Sequence, residues 1–187
     1  GRRRDGDVMG KPVVVYGASG YTGRLICEYL REYGVPFLAA GRDGKRVKEA
    51  VDAVPGIETA DYEILEVEHT EAALTEAFTG AKVVLNTVGP FSRYGHEAVR
   101  ASLNVGAHYT DTNGEQDWMI DADAQYGAEF AKQNLLLSPG IAQMYTVGEI
   151  AAQICLETPG LDTLDIGVFW KGYPTVASTN TILTNAA

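Results

Sequence analysis

The chain has few cysteines and no long apolar run. Only two cysteines, Cys27 and Cys155, occur among its 187 residues, and each lies in an amphipathic helical pattern. We therefore expect buried free thiols in a reducing compartment and no disulfide. No apolar segment approaches the roughly 18 residues that cross a bilayer, and no signal-peptide pattern is present. These features predict a cytoplasmic protein that does not bind membranes.

Basic residues are scarce as well. The chain has 15 lysines and arginines against 25 acidic residues, a net charge of −10 and a pI near 4.7. This balance argues against binding to nucleic acid or to an anionic membrane surface. Any anionic ligand must therefore be held by local groups against the overall field.

Two kinds of catalytic pattern are missing. The three histidines, His69, His96 and His108, are scattered without metal-ligand spacing, so we expect no metal site. None of the ten tyrosines has a lysine four residues later, which argues against the Tyr-x-x-x-Lys site of the short-chain dehydrogenases.

Short apolar runs instead alternate with helical stripes along most of the chain. Strands are predicted at 12–16, 35–41, 62–67, 81–88, 107–111 and 134–138. Helices are predicted near 21–33, 44–53, 70–79, 95–104 and 120–133. Such alternation with short connections predicts an α/β fold, a Rossmann-type doubly wound parallel sheet.

The two ends of the chain break this alternation. Residues 1–11 include "GRRRDGDV" ahead of Met9, and we expect a disordered tail or a cloning remnant there. Residues 12–145 would form the Rossmann domain. Within 146–187 the pattern predicts a helix at 146–157 and a half-solvated strand at 161–170. We interpret this part as a linker helix and the beginning of an incomplete second α/β domain, for substrate binding or dimerisation.

A glycine-rich loop joins the first strand to the first helix. Gly17, Gly20 and Gly23 would permit the tight turn, the approach of a pyrophosphate to the backbone, and close helix–strand packing, respectively. The first helical turn, which begins at Tyr21, would direct its amides at the phosphates. The hydroxyls that could cap the helix or bind a phosphate oxygen belong to Ser19 and Thr22.

The end of the second strand indicates which nicotinamide cofactor is preferred. An NAD site usually has an acidic residue there, whereas this chain has Arg42, 19 residues after Gly23, followed by Lys45 and Arg46. A guanidinium suits a 2′-phosphate on the adenosine ribose. We therefore predict NADP as the cofactor, although "GRDGKR" could also be a solvated turn.

Four motifs within about residues 12–138 carry a more specific resemblance: "GASGYTG", "AAGR", "VGPFSRYG" and "HYTDTNGE". With them the chain resembles the saccharopine dehydrogenase-like oxidoreductases, which include the trans-acting enoyl reductases. The resemblance implies an NADP-binding domain followed by a separate α/β substrate domain. It also implies a cofactor resting on Asn86, Thr87, Val88, Gly89 and Pro90.

The same resemblance implies an NADP(H)-dependent oxidoreductase that transfers hydride to a C=N, C=C or C=O bond of a small organic substrate. Tyr94 and the segment Tyr109–Asp111 would then lie near the nicotinamide. Tyr94 is the first candidate for a catalytic acid and Asp111 the second; alternatively, Tyr94 packs at a helix start and Asp111 caps a turn. The stretch "SPGIAQMYTVGEI" departs from the family pattern, so the resemblance does not carry over a substrate.

Other interpretations remain open at this point. "GASGYTG" also resembles the opening of the N-acetyl-glutamyl-phosphate reductases, but those need a reactive thiolate, and both cysteines lie on or near apolar stripes. A non-catalytic NADP(H)-binding sensor or regulatory protein is the alternative from a different class. A homo-oligomer or an additional domain could complete the substrate site.

Overall fold

A computed structural model describes residues 10–169 and 171–185 of the chain. Its core is one sheet whose strands run in the order β3-β2-β1-β4-β5-β6, all neighbours being parallel. This is the strand order of the doubly wound dinucleotide-binding fold, so the predicted fold class is confirmed. The strands are β1 (Val13–Tyr16), β2 (Phe37–Gly41), β3 (Tyr62–Glu66), β4 (Val83–Asn86), β5 (His108–Asp111) and β6 (Leu137–Ser138).

Helices α1 to α6 connect the strands and cover both faces of the sheet, and α7 and α8 follow the last strand. They are α1 (Tyr21–Glu32), α2 (Gly44–Asp52), α3 (Glu71–Phe78), α4 (Phe91–Val105), α5 (Gln116–Ala122), α6 (Ala128–Lys132), α7 (Gly148–Leu156) and α8 (Val176–Asn185). A π-helical turn, Asp123–Gly127, joins α5 to α6, and a short 3₁₀ turn, Ile57–Thr59, precedes β3. Among the residues described, no helix combines the length and the apolar character needed to span a membrane.

Two apolar cores lie on opposite faces of the sheet, because successive strand residues point to opposite sides. Val15 and Phe37 face α1 and α2, where they pack with Cys27 and Val47. The other face carries Val14 and Tyr16 from β1, and this core includes Leu74, Phe78, Val99 and Trp118. The central strands are therefore buried on both sides, as their continuous apolar runs predicted.

The strand register brings the carboxyl ends of four strands level. Tyr16 at the end of β1 is paired with Ala40 of β2 on one side and with Asn86 of β4 on the other. Asn86 is in turn paired with Asp111 at the end of β5. The loops that follow these strands therefore meet at one edge of the sheet, where α/β proteins bind their ligands.

Some predicted boundaries were wrong. Helix α4 begins at Phe91 instead of 95, and α5 begins at Gln116 instead of 120. Both first turns lack a helical apolar stripe, so periodicity could not detect them. Near the start of the chain, Lys11 belongs to the fold, since its ammonium pairs with Asp61. Residues 1–9 of the predicted tail lie outside the described residues.

The predicted strand at 161–170 is wrong over the part that is described. Residues 161–169 contain no strand, and no described strand lies beside them to supply the hydrogen bonds that an alternating pattern needs. Trp170 lies outside the described residues. The helix predicted at 146–157 corresponds to α7, whereas α8 was not predicted. That residues 146–187 begin a second domain stays a prediction.

Candidate functional site

The glycine loop lies at the crevice between β1 and β4. The backbone of Gly17 has φ 91°, and its N–H donates to the Ala40 carbonyl at 2.9 Å. A Cβ on Gly17 would lie 2.5 Å from the Thr87 hydroxyl oxygen, and one on Gly23 would lie 2.4 Å from the Gly17 carbonyl oxygen. Both positions therefore require glycine, for the turn and for the approach of α1 to β1.

The N-terminus of α1 differs from those of α2, α3 and α4. Asp43 and Thr70 cap α2 and α3, and the Glu115 carboxylate accepts from the first amides of α4. Among the described residues, no side chain caps α1 at Gly20, and the first turn of α1 has no acidic residue. The amides of that turn therefore face the crevice without a side-chain acceptor, which is the arrangement that binds phosphate groups.

The residues around this turn are open to solvent. Ser19, Gly20, Tyr21 and Thr22 are all exposed at the mouth of the crevice. If a pyrophosphate binds as the sequence predicts, it would contact their hydroxyls and amides. Gly23, by contrast, is buried against the strand. The exposure of this turn leaves its amides and hydroxyls accessible to a ligand.

The end of β2 presents basic side chains to the same edge. Arg42 follows Gly41 directly and is exposed, and no described residue forms an ion pair with its guanidinium. Lys45 is exposed in the first turn of α2, where its ammonium lies 3.9 Å from the Glu49 carboxylate. Asp43 is occupied as the α2 cap, because its carboxylate accepts from the Arg46 amide at 3.0 Å. Arg42 and Arg46 are thus both exposed without an ion pair to a described residue, and Arg42 is the one that directly follows β2.

The loop after β4 is tied to the glycine loop and to β5. The Thr87 hydroxyl donates to the carbonyls of Tyr16 and Gly17 at 3.0 and 3.1 Å. The Asn86 side chain accepts from the Val88 amide at 2.9 Å and donates to the Tyr109 hydroxyl at 3.0 Å. These bonds fix the start of the segment, and a cis peptide bond between Gly89 and Pro90 leads into α4.

Asp111 lies at the centre of a buried polar network. Its side chain is 1% exposed, and one carboxylate oxygen accepts from the Tyr109 hydroxyl and the Trp118 indole, both at 2.9 Å. The other oxygen accepts from the Asn113 side-chain amide at 2.6 Å and from the Gly140 amide at 2.8 Å. Both oxygens are therefore occupied by protein donors, which favours a positioning role over contact with a substrate.

The network continues to the start of α4 through Glu115. The Asn113 side chain accepts from the Glu115 amide at 2.7 Å, and the Glu115 carboxylate accepts from the amides of Phe91 and Ser92 at 2.7 and 2.9 Å. Sequence reasoning missed Asn113 and Glu115 as site-forming residues. The signal was the "TDTNGE" motif itself, whose polar residues follow a buried strand.

Tyr94, in the first turn of α4, contacts the loop that follows β3. Its ring meets the His69 ring edge-on, with centroids 5.3 Å apart, and the Arg93 guanidinium lies 5.2 Å from the Tyr94 ring centroid. His69 follows β3, which is the outer strand beyond β2. The contact therefore brings Tyr94 close to the side of the sheet that carries β2 and β3, and its catalytic role stays a prediction.

Burial changes the acidity of two tyrosines at this edge. Burial, with the nearby Asp111 carboxylate adding to it, raises the pKa of Tyr109 well above its ordinary value. Burial also raises the pKa of Tyr16 to about 12, although the Arg42 guanidinium acts in the opposite direction. Both hydroxyls therefore keep their protons at neutral pH and can serve as hydrogen-bond donors.

Thiol and metal chemistry find no support in the described residues. Cys27 is buried between α1 and the sheet, and burial raises the pKa of its thiol to about 12. Cys155 is exposed on α7, contrary to the prediction that both thiols are buried. The described part of the chain has no cluster of three or more histidine, cysteine or acidic side chains that could hold a metal ion.

A separate groove runs along β3, away from the glycine loop. Its volume is about 480 Å³, and its apolar floor includes Leu38, Leu65 and Ala77. Glu63 and Glu68 stand among its lining residues. An acidic groove of this kind is a poor match for a nucleotide phosphate, so the crevice at the strand ends is the candidate site.

Comparison with known proteins agrees with the crevice geometry. The family described as "Saccharopine dehydrogenase NADP binding domain" matches residues 13–132. The chain belongs to this family. Its cofactor is NADP, and the glycine loop, the uncapped α1 and Arg42 fit that cofactor. Residues 146–187 match a second family, which is described only as one of unknown function (DUF5938).

Proteins similar in sequence to this chain have been given different names. It is 33% identical over 131 residues to a "Lipid droplet localized protein" of Caenorhabditis elegans, covering 66% of this chain and 31% of that protein. It is 37% identical over 106 residues to a "Trans-acting enoyl reductase" of Mycobacterium leprae, covering 55% of this chain and 25% of that protein. The chain thus spans between a quarter and a third of the length of these relatives.

Solved structures share the fold at low sequence identity. The apo saccharopine dehydrogenase (L-Glu forming) of Saccharomyces cerevisiae superposes with a TM-score of 0.62 at 13% identity, covering 79% of this chain and 31% of that one. The RhlG/NADP complex of Pseudomonas aeruginosa gives a TM-score of 0.54 at 14% identity, covering 71% of each chain. These likenesses support the Rossmann-type fold.

Proposed function

We propose that this chain is the NADP(H)-binding part of an oxidoreductase that reduces a C=N, C=C or C=O bond of a small organic substrate. The observation that carries the proposal is the pairing, at one sheet edge, of an uncapped α1 N-terminus with the exposed guanidinium of Arg42. The first suits a pyrophosphate and the second a 2′-phosphate. The similarity to a trans-acting enoyl reductase supports reductase chemistry without fixing the bond that is reduced.

In the proposed pose the glycine loop and the first turn of α1 hold the pyrophosphate. The contacts would come from the backbone of Gly17 and Gly20 and from the hydroxyls of Ser19 and Thr22, with Tyr21 beside them, while Gly23 would let α1 approach β1. Arg42 would bind the 2′-phosphate, and Lys45, 3.9 Å from Glu49, would add a second positive charge at the rim. The nicotinamide half would rest on Asn86, Thr87, Val88, Gly89 and Pro90.

The reduced nicotinamide would supply a hydride to the carbon of the substrate's double bond, and a proton would complete the reduction. In our proposal, Asp111 does not donate this proton, since its two oxygens hold Trp118, Tyr109, Asn113 and Gly140. It positions the β4–α4 loop through Tyr109 and Asn86. The proton would come from solvent or from a residue of the substrate-binding part.

Recognition of the 2′-phosphate by Arg42 can be tested by comparing the affinities for NADPH and NADH, measured by nucleotide fluorescence. Wild type should bind NADPH more tightly, and Arg42→Ala should weaken NADPH binding about 10-fold or more while leaving NADH binding nearly unchanged. Lys48→Ala is the matched control, because Lys48 is an exposed cation of α2 that pairs with Asp52 at 2.5 Å. Equal affinities for the two nucleotides in wild type would contradict the proposal.

Oxidation of bound NADPH separates an enzyme from a sensor. The reductase proposal expects imines, enones or ketones to accelerate the loss of NADPH absorbance in the full-length protein. An NADP(H) sensor would bind NADPH tightly and show no substrate-dependent oxidation with any member of such a panel.

A further inference from the structure

Glu115 holds the start of helix α4 from a distant place in the chain. One oxygen of its carboxylate accepts from the Phe91 amide at 2.7 Å and the other from the Ser92 amide at 2.9 Å; we call this pair of bonds the Glu115 clasp. Glu115 is 4% exposed, and no described lysine, arginine or histidine forms an ion pair with it. The buried carboxylate is therefore stabilised by the amide donors and the N-terminus of α4 instead of by a cation.

The neighbouring helices are capped in a simpler way. The side chains that cap α2 and α3 belong to Asp43 and Thr70, which directly precede these helices and are exposed. Pro90 stands at the same place before α4, and its side chain has no acceptor. Burying a carboxylate without a cation costs free energy, which an exposed cap avoids. The Glu115 clasp therefore does more than end a helix: it fixes the start of α4 relative to the loop after β5.

The clasp is one of two anchors on the loop between β4 and α4. At the start of this loop the Asn86 side chain accepts from the Val88 amide at 2.9 Å, and the Thr87 hydroxyl donates to carbonyls at the end of β1. At its end the loop runs into the first turn of α4, which the Glu115 clasp holds. Gly89, between the two anchors, is exposed. The accessible middle of the loop is thus held from both ends.

Both anchors lead back to the Asp111 carboxylate. One of its oxygens accepts from the Tyr109 hydroxyl, which in turn accepts from the Asn86 side chain. The other accepts from the Asn113 side-chain amide, and the Asn113 side-chain oxygen accepts from the Glu115 amide at 2.7 Å. All five of these residues are buried. Water therefore cannot readily replace a bond that is lost within this network.

We propose that Glu115 is a positioning residue for the nicotinamide half of NADP(H), because its clasp keeps the loop 86–90 where that half rests. The inference rests on the proposed function, in which the nicotinamide half lies on this loop. The adenosine half is bound elsewhere, by the glycine loop and Arg42, and does not depend on the clasp. Since coupling between two sites is reciprocal, binding of the nicotinamide half also strengthens the clasp.

The test compares NADPH with adenosine 2′,5′-bisphosphate, which carries the 2′-phosphate but no nicotinamide. Affinities are measured by isothermal titration calorimetry. In Glu115→Gln the carboxamide keeps one acceptor oxygen and turns an N–H group towards the second helix amide, so one bond of the clasp is replaced by a repulsion. The affinity for NADPH should fall about 5-fold or more, while that for the bisphosphate should stay within about 2-fold of wild type.

The fluorescence of bound NADPH gives a readout that a general loss of stability does not change. The emission comes from the reduced nicotinamide and reports on its surroundings. With the folded Glu115→Gln protein saturated with NADPH, the emission maximum should move towards that of free NADPH. An emission maximum equal to that of the wild-type complex would overturn the inference.

Two variants are matched controls. Thr70→Ala removes the local cap of α3, in which the hydroxyl accepts from the Ala73 amide at 3.3 Å, and should lower the urea midpoint of unfolding. Asp117→Asn removes an exposed carboxylate from the first turn of α5. Both variants should keep the wild-type ratio of NADPH affinity to bisphosphate affinity. If Glu115→Gln lowers the two affinities in parallel, the clasp serves stability alone and the inference is wrong.

Hydrogen exchange in the wild-type chain tests the same coupling, also where Glu115→Gln does not fold. The amides of Phe91 and Ser92 should exchange more slowly with NADPH bound than with the bisphosphate bound. Equal protection by the two ligands would overturn the inference.

The outcomes also separate this inference from the proposed function. If Arg42→Ala weakens the binding of both ligands and Glu115→Gln leaves their affinity ratio unchanged, the inference is wrong and the proposed function stands. If wild type binds neither ligand, or if Arg42→Ala changes neither affinity, the proposed function fails and the inference fails with it.

Discussion

Thr87 occupies the space that a side chain at position 17 would need. A Cβ on Gly17 would lie 2.5 Å from the Thr87 hydroxyl oxygen, and that same hydroxyl donates to the Gly17 carbonyl at 3.1 Å. Thr87, which follows β4, therefore holds the loop before α1 in position. We therefore expect the contact between Thr87 and Gly17 to affect both cofactor binding and the stability of this sheet edge.

Gly17→Ala should weaken both properties. The residue has φ 91°, and the added methyl group would collide with Thr87 and Val88, so the free energy of unfolding should fall by about 2–4 kcal/mol. NADPH binding should be lost even where the protein is folded. Gly34→Ala is the control, because Gly34 has φ 63° but open space around it, and it should cost about 1 kcal/mol. Urea unfolding and fluorescence titration measure the two effects; a Gly17→Ala protein with wild-type affinity would contradict this account.

Asp111→Asn should destabilise the protein much more than an exposed Asp→Asn change. An amide nitrogen cannot accept a hydrogen bond, so at least one donor among Trp118, Tyr109 and Gly140 loses its partner in a buried site. We expect a loss of about 3 kcal/mol or more in unfolding free energy. Asp117→Asn, an exposed change in the first turn of α5, is the control. A fully stable Asp111→Asn variant with impaired turnover would instead favour Asp111 as the catalytic acid.

The two cysteines should react very differently with a disulfide reagent. The pKa of Cys27 is raised to about 12 by burial, so its thiolate is scarce at pH 8, whereas Cys155 is exposed. One thiol per native chain should react rapidly, and a second should appear only after unfolding in urea. In Cys155→Ser the rapid reaction should be absent. Rapid modification of two thiols in the folded chain would contradict the burial of Cys27 between α1 and the sheet.

The stability of the domain should decrease at alkaline pH. The pKa of Tyr16 is raised to about 12 in the folded protein, while a tyrosine in the unfolded chain ionises near 10. The unfolded state therefore loses its proton first, so this contribution is fully present below about pH 10 and is lost as the pH rises towards about 12. Tyr109 acts in the same direction. Unfolding free energies at several pH values above 9 test this, and Tyr16→Phe should flatten the decrease; an unchanged slope would show that Tyr16 does not contribute.

Much of the fold could be predicted because the local hydrophobic patterns match the strands and helices that form. The apolar runs around Val13–Tyr16 and Val83–Asn86 are buried on both faces, and β-branched residues there leave little choice but a central parallel strand. The alternating pattern at 161–170 led to a strand prediction that is wrong over 161–169, because alternation indicates a strand only where a neighbouring strand can pair with it. Helix α8 was missed since "VASTNTILTN" has weak helix formers and no clear apolar stripe.

The candidate site was predictable in part for a similar reason. Gly17, Gly23 and Arg42 lie in motifs whose spacing fixes their position at the strand ends, so the sequence alone could place them there, while their contacts with the cofactor stay a prediction. The partners of Asp111 could not be found this way, because Gly140 and Trp118 reach it from other elements of the fold. The position of Tyr94 beside His69 likewise depends on how α4 packs beside the loop that follows β3, which no local pattern encodes.

A crystal structure of this chain with NADPH bound tests the central claim most directly. We expect the first-turn amides of α1 to donate to the pyrophosphate, and the Arg42 guanidinium to lie within hydrogen-bonding distance of the 2′-phosphate. A nucleotide bound elsewhere, such as in the groove along β3, or a 2′-phosphate turned away from Arg42 into solvent, would contradict the account.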